Sequence, residues 1–561
     1  MKKVFASVKY FPYIIPLIIN NIRHKMIKIK NRDNLYLEGM DPLETYFHPR
    51  KLELLKKSWA EVFRTHVLPQ LPVAQIAKHF DETMGRPTKE LRAMCGACVL
   101  QQFFDLTDEE TRDQLSFNQQ WHYALDVLDQ DDQIVSLKTL WSCRFLLLND
   151  ELAKPIFDAV TDDLADVYDV DPTLQRLDSV HIHSNMARLG RTRLLSRTCT
   201  KFLMNLKRHY VTLYQTIADT ITSRYMKKDD DADYFGNTRP SQSQQRLQHI
   251  ATDIYQLILQ FNDNEHVQSM YSYKLLLRVF NEQCAIDNEQ AFIKPAKEVS
   301  SDSLQNPSDV DASYDGHKGQ GYQVQVMETY ARKNEDDDTQ QQSLQLITYV
   351  DVEPAHCHDS DAVKPALEDT EQRNLLPDEL EADTLYGGQE NVAKAKEHNV
   401  KLVAPTPGKK PQHNLSSFSI NQTTKEIESC PQDHEPDIIK HNNKGSISCV
   451  WDKELCQRCP LRSECCVVET KKGYLLRYTP HEAELAIRRH YENSDEFRDK
   501  YRYRSGIEAS ISRFIHQTGA RRLRYRGLKR VDYAARLKAL GINIFRTAKF
   551  LANQDNQACF A

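Results

Sequence analysis

The stretch "LEADTLYGGQENVAKAKEHNVKLVAP" constrains the fold more than any other part of this chain. It reads as a short strand ending near Asp383, a turn at Gly387 and Gly388, a helix through about Glu397, and a second strand from Val400 to Ala404. Strand, helix and strand in so few residues imply an α/β layer with a mixed sheet. Asp383 then falls at the carboxyl end of its strand, the edge where functional loops of such sheets gather. Other strands join it. "LQRLDSVHIHS" alternates from Gln175 to His183 with Asp178 inside it, and Gly321 to Tyr330 and Ser343 to Val352 read as a hairpin around the acidic loop "NEDDDTQ". The carboxylates Glu335 to Asp338 are better explained as a solvated loop tip than as a metal site.

Elsewhere the period is helical. From Pro49 to about Leu148 apolar residues recur at three and four, with Ser136 or Thr139 as one cap and Thr88 as another. Cys95 and Cys98 have CxxC spacing but sit on an apolar helical face, so they read as small core residues. Further helices are expected over Arg193 to Tyr225, Ser243 to Cys284 and Ala362 to Thr370, with "KKDDDADYFGNTRPSQSQ" an exposed loop between the first two. At 561 residues the chain is too long for one core and should hold two to four domains. The apolar run from Tyr10 to Ile22 is short and broken by prolines and asparagines, which argues against a membrane span or export. Met26 is an alternative start.

The formal net charge is -5, so any nucleic-acid surface must be local. One block qualifies. From Tyr501 to Phe550 there are thirteen Lys or Arg and only two acids, Glu508 and Asp532. A solvated face would mix the signs; this one asks for a polyanion, and Glu508 within it asks for a metal. Asp178 in its strand is costly to bury unless paired or metal-bound, and for any one such carboxylate a neighbouring arginine is the plainer account. Six of the thirteen cysteines lie between Cys430 and Cys466, which suits a reducing compartment and a local metal site. Cys456, Cys459 and Cys465 are three thiolates of the kind that hold Zn²⁺, with Cys430, His434, Cys449 or Cys466 as the fourth ligand. An iron–sulfur cluster and plain reduced thiols are the competing readings.

Four ordered segments together resemble a DDE transposase of the insertion-sequence type, in the IS1182-like branch of the IS4/IS5 grouping. "LDSVHIHSNMARLGR" looks like the first-Asp segment, at Asp178. "LQNPSDVDASYDGHKGQGYQVQV" looks like the family's middle segment, and "EADTLYGG" looks like the second-Asp segment, at Asp383. Tyr501, Arg504 and Glu508 match the Tyr-x2-Arg-x3-Glu signature, which "GARRLRYRGLKR" continues. One place departs: Ile515 stands where the family often has Lys or Arg, and Arg513, His516 or the later cluster would take that role. His181 and His183 also fill places where other members differ.

The resemblance implies an α/β, RNase H-like catalytic core over 170–405 and 475–555, with a helical insertion at 193–290. An all-helical N-terminal domain at 41–165 would precede it, a cysteine-rich module at 425–470 would interrupt it, and 1–40 would be a tail. Asp178, Asp383 and Glu508 would hold two Mg²⁺ ions, with Mn²⁺ as a substitute, and Asp178 would bridge both. Arg504, with Tyr501 on the same helical face, would clamp a phosphate or orient Glu508, a structural salt bridge being the alternative. Arg521, Arg522, Arg524, Arg526, Lys529 and Arg530 would contact DNA phosphates, as would His317 and Lys318. The cysteines, with Cys430 as fourth ligand, would hold structural Zn²⁺. The partners implied are the terminal inverted repeats, target DNA and further copies of the chain in a synaptic complex, in the cytoplasm of a bacterium at its nucleoid. A metal-dependent nuclease without strand transfer, or an inactive DNA-binding derivative, are the alternatives.

Overall fold

The computed structural model describes residues 26–30, 43, 46–226, 240–332, 343–408, 415–442 and 445–558. The expected tail through Lys25, the expected loop from Lys227 and the expected hairpin tip with Glu335 to Asp338 lie outside the described residues.

The central sheet is built around β1 (Leu174–His183). On one side of it lies β3 (Gly319–Thr329), antiparallel, which pairs at its start with β2 (Ser313–Asp315) and along its length with β4 (Ile347–Pro354). On the other side β5 (Glu379–Ala382) and then β6 (Lys401–Val403) run parallel to β1. Thus β6, β5 and β1 are parallel, while β3 and β4 reverse in turn: a mixed sheet, as the alternation of elements requires. A parallel pair needs a crossover, and the helix Gln389–Glu397 supplies it between β5 and β6.

Both faces are covered, which is why the strands are rich in Val, Ile and Leu. On one face Val180, Ile182, Val324, Val326 and Val350 share an apolar core with Phe63, Phe103 and Phe157 of the N-terminal helices. Leu537 and Leu540 of the long C-terminal helix join the same core. The N-terminal helices include α1 (Leu137–Asn149) and α2 (Ala153–Val167). On the opposite face Leu177, Met327, Leu380 and Ala382 pack with Val363, Ala366 and Leu367 of α3 (Val363–Gln372). A separate core, including Leu195, Phe202, Ile254 and Leu276, fills the helices inserted after β1. Truncating one buried phenylalanine in such a core to alanine costs about 3–5 kcal/mol.

Local signals account for the helix boundaries. Ser136 caps α1 through its side chain. Before the helix Leu91–Phe103, however, Glu90 is the cap, accepting from the Ala93 amide, and Thr88 instead accepts from the Lys28 amide. The expected Thr88 cap is corrected because Met26 to Lys30 runs alongside and takes that hydroxyl. Cys95 and Cys98 are fully buried in the same helix, with Cys95 Sγ 3.9 Å from Cys143 Sγ. Along the chain, between the last strand of the central sheet and the C-terminal helices, comes a small antiparallel sheet, in the order Ile438–His441, Ile447–Trp451, Gly473–Tyr478, Val468–Thr470.

Candidate active site

Asp178 lies in the middle of β1, on the face it shares with Val180 and Ile182 by the two-residue period of a strand. Ala382 of β5 is the register partner of Leu177, so the next residue on each strand, Asp383 and Asp178, stand side by side at the carboxyl end of β5. Glu508 comes from far along the chain, in the first turn of α4 (Ile507–His516), where a negative charge also suits the helix dipole. The expected single helix through Tyr501, Arg504 and Glu508 is broken. Tyr501 ends the helix Asp495–Tyr501, and Arg502–Gly506 is a 3-10 turn that carries Arg504.

One guanidinium meets all three carboxylates. Arg504 Nη2 is 2.8 Å from Asp178 Oδ2 and 3.6 Å from Asp383 Oδ2, and Arg504 Nη1 is 3.4 Å from Glu508 Oε1. Asp178 is the most enclosed of the three and Glu508 the most exposed. Burial pushes the Asp178 carboxyl up to about 6, against the opposing pull of Arg504 and of the Ser179 amide. Tyr501 stacks on Phe497 at 5.3 Å, and burial raises its hydroxyl above the usual range.

Arg176, two residues before Asp178, ties the sheet to this segment. It sits opposite Glu328 across β1 and β3, 2.7 Å from Glu328 Oε1, and it donates to the Tyr503 carbonyl at 2.7 Å. Glu328 is fully buried. It also takes Ser510 Oγ of α4 at 2.6 Å and Arg546 at 2.9 Å. Sequence reasoning missed Arg176, Glu328, Ser510 and Arg546. The available signal was an arginine and a glutamate inside two otherwise apolar strands, but their pairing needs the register.

The middle segment reaches the other face of β1. His317 and Lys318 form the turn between β2 and β3, their amides donating to Asp315. His317 is exposed, whereas Lys318 Nζ lies 3.1 Å from Gln323 Oε1, 3.4 Å from Ser179 Oγ and 3.6 Å from Asp359. The buried His181 ring, 4.8 Å from that of His183, is held near 4 by burial. Ile515 is in the apolar core, while Arg513 and His516 are exposed.

The basic run passes the end of β1. Arg521 donates to the His181 carbonyl at 3.4 Å, its own carbonyl accepts from the His183 amide, and Arg526 Nε donates to Asn185 at 2.9 Å. Arg524 faces Asp105 at 3.6 Å and Lys529 faces Glu151 at 2.9 Å, so part of the missing negative charge comes from turns between the N-terminal helices. Arg522 and Arg530 are exposed and have no carboxylate partner among the described residues.

Comparison with known families adds the deciding observation. Residues 429–548, including Glu508, match the family described as Transposase DDE domain, and residues 55–145 match Transposase domain (DUF772). Two segments of the chain thus match transposase families, one of them the DDE domain. This pair of domains is typical of the IS1182-like transposases. No curated protein matches the chain.

A DDE domain implies dependence on a divalent metal in general. The chain's donors fit one in kind: three carboxylates converge, and a single positive charge opposes them. With Arg504 between them they do not close round one point, and among the described residues no three or more His, Cys, Asp or Glu side chains are drawn together as ligands in this metal-free arrangement. In the small sheet Cys430, Cys456, Cys459, Cys465, Cys466 and His434 line one pocket of about 190 Å³. Cys449 does not; it is buried in the apolar core of that sheet, 3.8 Å from the Tyr478 hydroxyl. No helix among the described residues is long and apolar enough to cross a membrane.

Proposed function

We propose that this transposase cuts DNA strands at the ends of its element and joins them to a target by direct attack on phosphodiesters, with Asp178, Asp383 and Glu508 as the metal-holding set. The observation that carries the reading is the meeting of these three carboxylates, from three distant parts of the chain, on the one guanidinium of Arg504. The strand order supports an RNase H-like core: three strands in antiparallel succession, then two parallel to β1.

Two Mg²⁺ ions, when bound, supply the charge that makes a water or 3′ hydroxyl nucleophilic and stabilises the leaving oxygen. The protein's part is placement. Asp178 is fixed in the central strand, Asp383 is fixed beside it by register, and Glu508 is brought in by the Arg176–Glu328 tie. Arg504 offsets part of the charge of the three in the metal-free chain and would be free to take a substrate phosphate once they turned to cations. In the first step a water oxygen bonds to phosphorus as the bond to the 3′ oxygen breaks, so the proton lost by one oxygen is matched by that gained by the other. In the second step the freed 3′ hydroxyl attacks a target phosphodiester in the same way. Neither step needs a covalent enzyme intermediate or an outside energy source.

Four thiols, Cys430, Cys456, Cys459 and Cys465, take one structural Zn²⁺ in this reading, since all line the same small pocket and Cys449 does not. The DNA partners are the terminal inverted repeats and a target duplex, and joining two ends calls for more than one copy of the chain. The catalytic unit would span 170–405 and 475–555 and act on DNA at the nucleoid.

The test is cleavage and joining of a labelled duplex that carries the element's terminal repeats, with Mg²⁺, using the full chain and Asp178→Ala. Joined product that disappears in the variant and without metal is expected. Cleavage without joining would favour a nuclease, and binding with neither reaction would favour an inactive DNA-binding protein.

A further inference from the structure

A second feature of the molecule is unrelated to the carboxylates. Between α1, the inserted helices and the basic run lies an open cleft of about 850 Å³. This is at the upper end of the roughly 300–1,000 Å³ usual for ligand sites. One wall is aromatic. Trp141 and Phe145, one helical turn apart on α1, are 54% and 49% exposed and stack on each other with centroids 5.3 Å apart and planes at 17°. Their helix turns Leu140, Cys143 and Leu147 into the core, so the aromatic pair is not needed there. Across the cleft stands Tyr271, 59% exposed, with Lys201 Nζ 5.7 Å from its ring centre.

The remaining wall is cationic, formed by Arg524, Arg526, Lys529 and Arg530. Its two acids are already engaged. Asp309 accepts from Ser184, Tyr322 and the Gly527 amide, and Asp311 accepts from the Leu528 amide. They fix the turn at Gly527, whose φ of +82° favours glycine, and so present the arginines to the cleft.

We propose that this cleft holds an unpaired stretch of DNA strand, with its bases stacked on Trp141 and Phe145 and its phosphates on the basic wall. Exposed aromatic faces beside cations suit a single strand, because a duplex hides its base faces within its own stack. Lys201 and Tyr271 add a contact from the inserted helices. The inference rests on the transposase reading and deepens it: DNA bound here is locally opened.

The test uses the full chain in EDTA and three fluorescent DNAs: a single strand, the paired duplex, and the same duplex with one extrahelical 2-aminopurine. Trp141→Ala and Phe145→Ala should each weaken binding of the single strand roughly five- to hundredfold and abolish quenching of the extrahelical base. Paired-duplex binding should change less than about twofold, and Trp141→Phe should restore single-strand binding. Both residues are exposed, so retained duplex binding also reports that the variants are folded. Equal losses on all three DNAs, no loss, or no single-strand binding by the wild type would overturn the proposal. Mg²⁺-dependent joining by the wild type, measured in parallel, separates the two readings: joining without any base stacking sinks this inference alone, and absence of joining sinks the transposase mechanism.

Discussion

Gly506 leaves the space that the Arg176 guanidinium occupies. A Cβ at Gly506 would stand 2.1 Å from Arg176 Nη1 and 2.7 Å from its Cζ. An arginine tip is usually free to swing away, but this one is buried, ion-paired to Glu328 and bonded to the Tyr503 carbonyl. The adjustment therefore falls on the segment from Arg504 to Glu508. Gly506→Ala should destabilise the chain by about 1–3 kcal/mol in urea unfolding. It should reduce strand joining far more than the unfolded fraction explains. Full joining activity in a folded Gly506→Ala protein would show that this contact does not place Glu508.

The elements of the α/β layer were legible because period and punctuation agree there: Gly387 and Gly388 mark the turn after Asp383, and the strands and helix fall within a few residues of their expected limits. Asp178, Asp383 and Glu508 were legible as candidates: Asp178 as an acid inside an apolar strand, Asp383 as an acid at the carboxyl end of another, and Glu508 as the acid of a basic block. Their common contact was not, because Arg504 reaches Asp178 across more than three hundred positions and sequence shows only its neighbour at i+4. The partners of the basic run were hidden for the same reason, Asp105 and Glu151 lying in turns between the N-terminal helices. Thr88 was misassigned because a hydroxyl before a helix looks like a cap unless another segment competes for it.

Asp178 should make the metal-free protein's stability depend on pH. Its folded-state pKa, about 6, lies above the ordinary 3.8, so the native chain holds the extra proton between those values. Stability linked to this group is fully present below pH 4 and is lost as pH rises through 6. Asparagine resembles the protonated form at every pH. In EDTA, Asp178→Asn should therefore be more stable than wild type at pH 7.5, by at most about 3 kcal/mol, and close to it at pH 4. Urea unfolding at the two pH values checks this, and an equal difference at both would rule out Asp178 as the source.

The cysteine pocket gives a prediction that depends on which thiols face it. Protein purified without chelator should carry one Zn²⁺ per chain by elemental analysis. Cys430→Ser and Cys456→Ser should lose it, whereas Cys449→Ser should keep it, because that thiol lies in the apolar core beside Tyr478. Zinc lost on Cys449→Ser but kept on Cys430→Ser would reverse the assignment, and a metal-free wild type would leave the thiols as ordinary reduced cysteines.

The basic run should not act evenly. An arginine that neutralises a phosphate releases condensed counterions, and each such contact adds about 0.9 to the slope of log K against log salt on duplex DNA. Arg522 has no carboxylate partner among the described residues, so its charge is available in full. Lys529 is held 2.9 Å from Glu151 and must leave that pair before it meets a phosphate, which returns part of what binding gains. Arg522→Ala should then lower the salt slope by close to one unit for a paired duplex, and Lys529→Ala by clearly less. Binding isotherms between 50 and 200 mM salt, on the order of the range over which such slopes are read, measure both. If Lys529→Ala lowers the slope as much as Arg522→Ala, the Glu151 pair does not persist in solution; if neither changes it, DNA follows another face of the molecule.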